Sequence, residues 1–123
     1  MKKKVETLRE NEEYVKAYDD SKFEKPSVTA DIVIFEMFDS EENNYRKISE
    51  KKLKVLLIQR GMEPFKDCYA LPGGFVRPGE NVCEAAEREL QEETNLNCNF
   101  LEQFGTYSDP DRDPRRWVIT NGF

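Results

Sequence analysis

The chain has 123 residues, 36% charged and 37% hydrophobic, with a net charge of −6 and no histidine. That length fits one domain able to bury roughly two thirds of its unfolded surface, and the acidic balance makes nucleic acid and anionic membranes poor general partners. Without histidine, Ser-His and Cys-His nucleophile systems and most zinc sites are excluded, so any catalysis falls to carboxylates, Lys, Arg or Tyr. Residues 3–19 place Val5, Leu8, Val15 and Tyr18 at near-helical spacing among charges, which predicts a weakly amphipathic helix whose role is packing. Ser21 to Pro26 reads as a linker, because proline biases its predecessor away from helix. Residues 1–25 are thus a helical extension with its linker, and 26–123 the folded domain.

The β-branched and aromatic run SVTADIVIFEMF (27–38) predicts a strand. LKVLLIQR (53–60) predicts another, apolar enough along its middle to be buried on both faces. Between them, residues 39–52 lack apolar periodicity and read as a solvated hairpin loop. GMEPFKDC (61–68) is a connecting loop, YALPGGF (69–75) a short strand, and the Pro78-Gly79 turn opens a helix. LNCNFLEQFGTYS (96–108) resumes strand character, DPDRDPRR (109–116) is a turn-rich loop, and WVITNGF (117–123) begins another strand. Ending there without a closing turn suggests a domain cut short; the alternative is a short terminal edge strand. Cys68, Cys83 and Cys98 are odd in number and form no Cys-x-x-Cys pair, which points to a reducing, cytoplasmic setting. No signal-peptide core or membrane-spanning apolar stretch occurs.

The segment before and within the predicted helix carries six glutamates between Gly73 and Leu96. At about 100° per residue, Glu92 and Glu93 fall within about 60° of Glu89, as do Val82, Ala85 and Ala86. Glu84, Glu87 and Gln91 point the other way, where a solvated face belongs. Three carboxylates continuing an apolar face repel one another and lose solvation unless a cation joins them. With oxygen ligands alone, Mg²⁺ or Mn²⁺ is favoured over zinc. Gly73 and Gly74 allow close backbone approach, so that a main-chain carbonyl serves as one more ligand. For Glu80 a favourable place at the helix's positive end, and for Arg88 an i,i+4 pairing with Glu84 or Glu92, weigh about as much as a functional role.

Gly74, five residues, Glu80, seven residues, then Arg88-Glu89-Leu90-Gln91-Glu92-Glu93-Thr94-Asn95-Leu96 resembles the Nudix box, G-x5-E-x7-R-E-U-x-E-E-x-G-U with U apolar. The one departure is Asn95 in place of glycine, and asparagine is the next best residue for a left-handed helix stop. The resemblance implies an α+β fold, a mixed β-sheet sandwiched between helices (α/β/α), that normally continues past residue 123 with further strands and a second long helix. It implies that Glu89, Glu92 and Glu93, with a carbonyl of Gly73 or Gly74, hold Mg²⁺ or Mn²⁺. Arg88 would orient these acids, and Glu80 would brace the loop against the helix. QRGMEPFKDCYALPGGFV and SDPDRDPRR resemble the ADP-ribose pyrophosphatase branch, implying substrate contacts from Arg60, Tyr69, Arg112, Arg115 and Arg116. The activity implied is hydrolysis of a nucleoside diphosphate linked to X, with a nucleotide substrate, no nucleic acid or membrane partner, and room for a homodimer. A ligand-sensing domain of a transcriptional regulator of NAD metabolism, and a nucleoside triphosphate pyrophosphohydrolase, are the alternatives.

Overall fold

A computed structural model of the chain describes residues 2–40, 48 and 50–123. The β-branched segment at 27–38 is not one strand but two, β1 (Ser27–Asp31) and β2 (Phe35–Asp39), in different sheets. The break falls where the chain turns inward. Ile32 is buried and its N–H donates to the Pro72 carbonyl, while the Val33 N–H donates to that of Phe123. LKVLLIQR divides likewise into β3 (Lys51–Val55) and β4 (Ile58–Gln59). β3 pairs antiparallel with β2 in a two-stranded ribbon and is exposed along its whole length, so the expected burial on both faces is not found. Lys51, Lys52 and Lys54 keep it in water. Residues 41–47 and 49 of the expected hairpin loop lie outside the described residues.

YALPGGF holds two strands, β5 (Tyr69–Ala70), paired with β4, and β6 (Gly73–Phe75). The helix α2 covers Val82–Thr94, β7 is only Gly105–Tyr107, and β8 is Val118–Gly122. The main sheet runs β6-β1-β8-β7, with β8 parallel to β1 and antiparallel to β7. The last apolar run is therefore an inner strand, not an edge, and Val118, Thr120, Asn121, Gly122 and Phe123 are buried.

α2 lies on one face of this sheet, where Ala30, Ile32, Ala85, Ala86, Leu90 and Phe123 form the core with Ile34, Val76, Val82 and Leu101 packed around them. Alanine on both sides lets helix and sheet approach closely. On strand alternation, Val28 and Ala30 face α2 while Thr29 and Asp31 face the opposite side. The N-terminal helix α1 (Lys2–Ala17) forms as expected, and its residues 10–17 are exposed.

Candidate active site

Both ends of α2 are fixed locally, which sets the direction of every acid along it. Gly79, at φ 87°, turns the chain into the helix. Asn81 then closes a capping box with Glu84: the Glu84 N–H donates to Asn81 Oδ1 at 3.0 Å and the Asn81 N–H to Glu84 Oε2 at 2.8 Å. At the far end Asn95 adopts φ 57°, ψ 22°, the left-handed stop expected of it, and its N–H donates to the Gln91 carbonyl at 3.0 Å. The capping role of Asn81 and Glu84 went unread in the sequence, although Asn followed three residues later by Glu is its signature.

Arg88 is the hub of the acidic face. Its Nε and Nη2 bind the two oxygens of Glu80 at 2.5 and 3.1 Å, and its Nη1 reaches Glu89 Oε1 at 2.5 Å and Glu92 Oε2 at 3.2 Å. Nη2 also donates to the Phe75 carbonyl at 3.0 Å. Glu80 in turn accepts the Arg77 N–H at 2.9 Å, so one ion-pair network joins β6, the loop after it and α2. The Arg88 guanidinium beside it holds the Glu80 carboxyl down at about 2, and the same pairing raises Arg88 above its ordinary range. Arg77, not singled out from sequence, grips Glu92 with both Nη atoms at 3.3 and 3.2 Å.

The three acids do not converge as the helical wheel suggested. Glu89 is enclosed, its side chain 12% exposed, whereas Glu92 is 44% exposed and Glu93 also reaches solvent. Much of the anticipated repulsion is relieved by arginine, which holds Glu89 and Glu92. Glu93 turns instead to the Gly73 N–H, accepting it at 2.9 Å. Burial pushes its carboxyl above the ordinary range, with the charges of Glu89 and Asp31 adding to this, against the pull of Gly73 and Arg60. Among the described residues no three acidic or thiol side chains stand assembled as a metal cage. The donor chemistry nevertheless fits a hard divalent cation: every side chain here offers oxygen, and Glu93 lacks a direct cationic partner among the described residues.

The glycine pair has a packing reason the sequence did not reveal. A Cβ on Gly74 would overlap the Glu89 carboxylate, and one on Gly73 would strike the Ala30 carbonyl and Asp31. Glycine at 74 thus leaves the space that Glu89 occupies.

The cleft lies on the sheet face away from α2, an open hollow of about 650 Å³ lined by Thr29, Asp31, Arg60, Gly73, Phe75 and Glu93 among others. A neighbouring hollow of about 490 Å³ shares Asp31, Arg60, Gly73, Glu93 and Arg112 and adds Phe104 and Tyr107. Of the five expected substrate contacts, the structure brings Arg60, Arg112 and Arg115 to the first hollow. Tyr69 and Arg116 line neither. Tyr69 is 72% exposed on β5, and Arg116 rests over the Phe75 ring with its Nη1 on Ser27 Oγ at 3.3 Å. Arg115 is bound to Asp113 at 2.8 Å, and Arg60 donates from Nε to the Pro64 carbonyl at 2.8 Å. Asp31 was missed; Thr120 Oγ1 donates to it across the sheet, and the alternation of Val28 and Ala30 with Thr29 and Asp31 was the available signal.

A Nudix domain profile matches residues 30–121. The chain belongs to the Nudix family. It is 56% identical over 73 residues to an ADP-ribose pyrophosphatase of Methanocaldococcus jannaschii, covering 59% of this chain and 43% of that protein. It is 34% identical over 109 residues to the ADPR responsive transcriptional repressor NtrR of Acinetobacter baylyi, covering 87% of this chain and 39% of that one. Among solved structures, the Nudix domain of Shewanella oneidensis NrtR complexed with ADP ribose superposes with a TM-score of 0.71 at 32% identity, covering 89% of this chain and 66% of that one. The same protein complexed with a 27mer DNA matches with a TM-score of 0.59 at 32% identity, covering 77% and 39%. The chain spans about two fifths of the length of these two curated relatives. An acidic composition therefore does not set this family apart from nucleic acid, because a relative of similar sequence is solved on DNA. Among the described residues no helix is long and apolar enough to cross a membrane.

Proposed function

We propose that this domain hydrolyses the pyrophosphate bond of a nucleoside diphosphate linked to a second group, ADP-ribose and water giving AMP and ribose 5-phosphate. The observation that carries this reading is a single cleft holding Glu93, beside Glu89, together with three arginines. Glu89, Glu92 and Glu93, with a carbonyl of Gly73 or Gly74, would hold Mg²⁺ or Mn²⁺. The ion would neutralise pyrophosphate charge and make water a stronger nucleophile. Arg88 fixes Glu89 and Glu92, while Glu80 ties the preceding loop to the helix. Arg60, Arg112 and Arg115 suit bidentate contact with phosphate oxygens. The exposed free thiols of Cys68, Cys83 and Cys98 support a reducing compartment.

The second reading is an ADP-ribose-sensing domain, favoured by the repressor relative that covers most of the chain. Incubation with ADP-ribose and Mg²⁺, followed by chromatography for AMP, separates the two. The catalytic reading expects AMP, reduced at least about a hundredfold by Glu93→Gln. ADP-ribose bound without AMP, and bound equally well by Glu93→Gln, would overturn it in favour of sensing.

A further inference from the structure

On β1, Asp31 has glycine on both sides: its register partners are Gly73 on β6 and Gly122 on β8. Paired residues direct their side chains to the same face, so neither neighbouring strand sets a side chain directly beside the Asp31 carboxylate on the cleft face. The Phe104 ring takes the space over Gly122 that a Cβ there would fill. Thr29 and Thr120 are both buried and their hydroxyls are bonded to each other. Thr120 Oγ1 gives its one hydrogen to Asp31, so Thr29 donates to Thr120, and both hydroxyl protons are committed to holding the carboxylate in place. Among the described residues no other donor reaches that carboxylate and no cationic side chain pairs with it. It therefore keeps acceptor positions open to the two hollows, both of which it lines with Arg60, Gly73, Glu93 and Arg112.

We propose that Asp31 is a specificity-determining residue that accepts a hydrogen bond from a ribose hydroxyl next to the substrate's pyrophosphate. This rests on the reading of the cleft as a site for a nucleoside diphosphate linked to a second group. In such a ligand the ionised phosphates have no hydrogen to donate and a carboxylate only accepts, so the donor facing Asp31 comes from a sugar or a base. Arg60 and Arg112, on the same wall, suit the phosphates. A ribose is bonded directly to its phosphate, whereas the amino group of a base lies beyond the sugar, so the group that reaches Asp31 is the sugar. Phe104, 58% exposed beside it, offers an aromatic face to the carbon side of that ring. A carboxylate here weakens the binding of every anion alike, and a hydroxyl partner converts that cost into selectivity, because a ligand without the hydroxyl leaves the acceptor unpaired.

Two riboses flank the pyrophosphate of ADP-ribose, and two analogues separate them: the methyl ester of ADP, which lacks the terminal ribose, and ADP-ribose built on 2′,3′-dideoxyadenosine. Calorimetric titration in EDTA, where metal-dependent turnover is stopped, gives dissociation constants for all three ligands. The native chain is expected to bind ADP-ribose at least about tenfold more tightly than one of the two analogues. Asp31→Ala, folded by circular dichroism, lowers that preference by about tenfold, and Asp31→Asn, which keeps the size and one acceptor oxygen, lowers it less. The ratio is the quantity to read, since removing a negative charge strengthens the binding of all three anions together. A native chain without preference over either analogue, or a preference that survives Asp31→Ala, would overturn the proposal. Affinity lost equally for all three ligands would mark a structural or cation-holding residue and overturn it as well. AMP formation with Mg²⁺ is scored separately: its absence removes the hydrolytic reading and leaves the binding ratios to decide the role of Asp31.

Discussion

Arg88 and Arg115 both sit among carboxylates, but their partners lie at different distances along the chain. Arg88, 17% exposed, ties together Phe75, Glu80, Glu89 and Glu92, which come from a strand, a loop and a helix. Arg115, 39% exposed, binds Asp113 two residues away in its own loop. Ties across segments weld β6 to α2 and fix where Glu89 points, whereas a tie within a loop only stiffens that loop. The first region should therefore tolerate almost no change, and the second should adjust binding in small steps.

The largest effect is expected within the first region. Glu89→Gln lowers turnover of ADP-ribose at least about a hundredfold, read by steady-state kinetics, while nucleotide binding persists. Gly74→Ala drives a methyl into the Glu89 carboxylate, with a loss of about 1–3 kcal/mol in urea unfolding and a fall in turnover. Arg88→Lys lowers turnover by about tenfold or more, because an ammonium cannot hold Glu80 with two parallel bonds while reaching Glu89. In the loop, Arg112→Ala raises KM by about tenfold with little change in kcat, and Arg116→Ala changes KM by no more than about twofold. The smallest effect concerns acid. Glu80 titrates at about 2 rather than 4.5, so its pairing with Arg88 stabilises the fold fully above 4.5 and is lost as pH falls through about 2. The melting temperature of Glu80→Gln should accordingly fall less steeply over that window than that of the native chain.

The acid-bearing helix was legible in the sequence because its information is local: a turn glycine, fixed spacings and an asparagine stop each act within a few residues. The directions of Ala85 and Ala86 into the core followed from the same periodicity. What could not be read was set by distant partners. Residues 27–38 look like one strand, since nothing within them announces that Ile32 will bond Pro72 while Phe35 leaves for another sheet. The last segment is an inner strand and not the terminal edge strand offered as the alternative, because β1 and β7, remote in sequence, flank it. Arg77 and Asp31 were missed for a related reason, as their partners Glu92 and Thr120 lie 15 and 89 residues away.

The central claim is that the glutamates of α2 differ in role, Glu84 capping the helix and Glu87 solvated, with Glu89, Glu92 and Glu93 proposed to face a cation. Calorimetric titration of Mn²⁺ into the native chain and its single Glu→Gln variants tests it most directly. The expected result is a dissociation constant raised at least about tenfold by Glu89→Gln and by Glu93→Gln, and unchanged by Glu87→Gln. Equal effects at all three positions, or none at any, would contradict it.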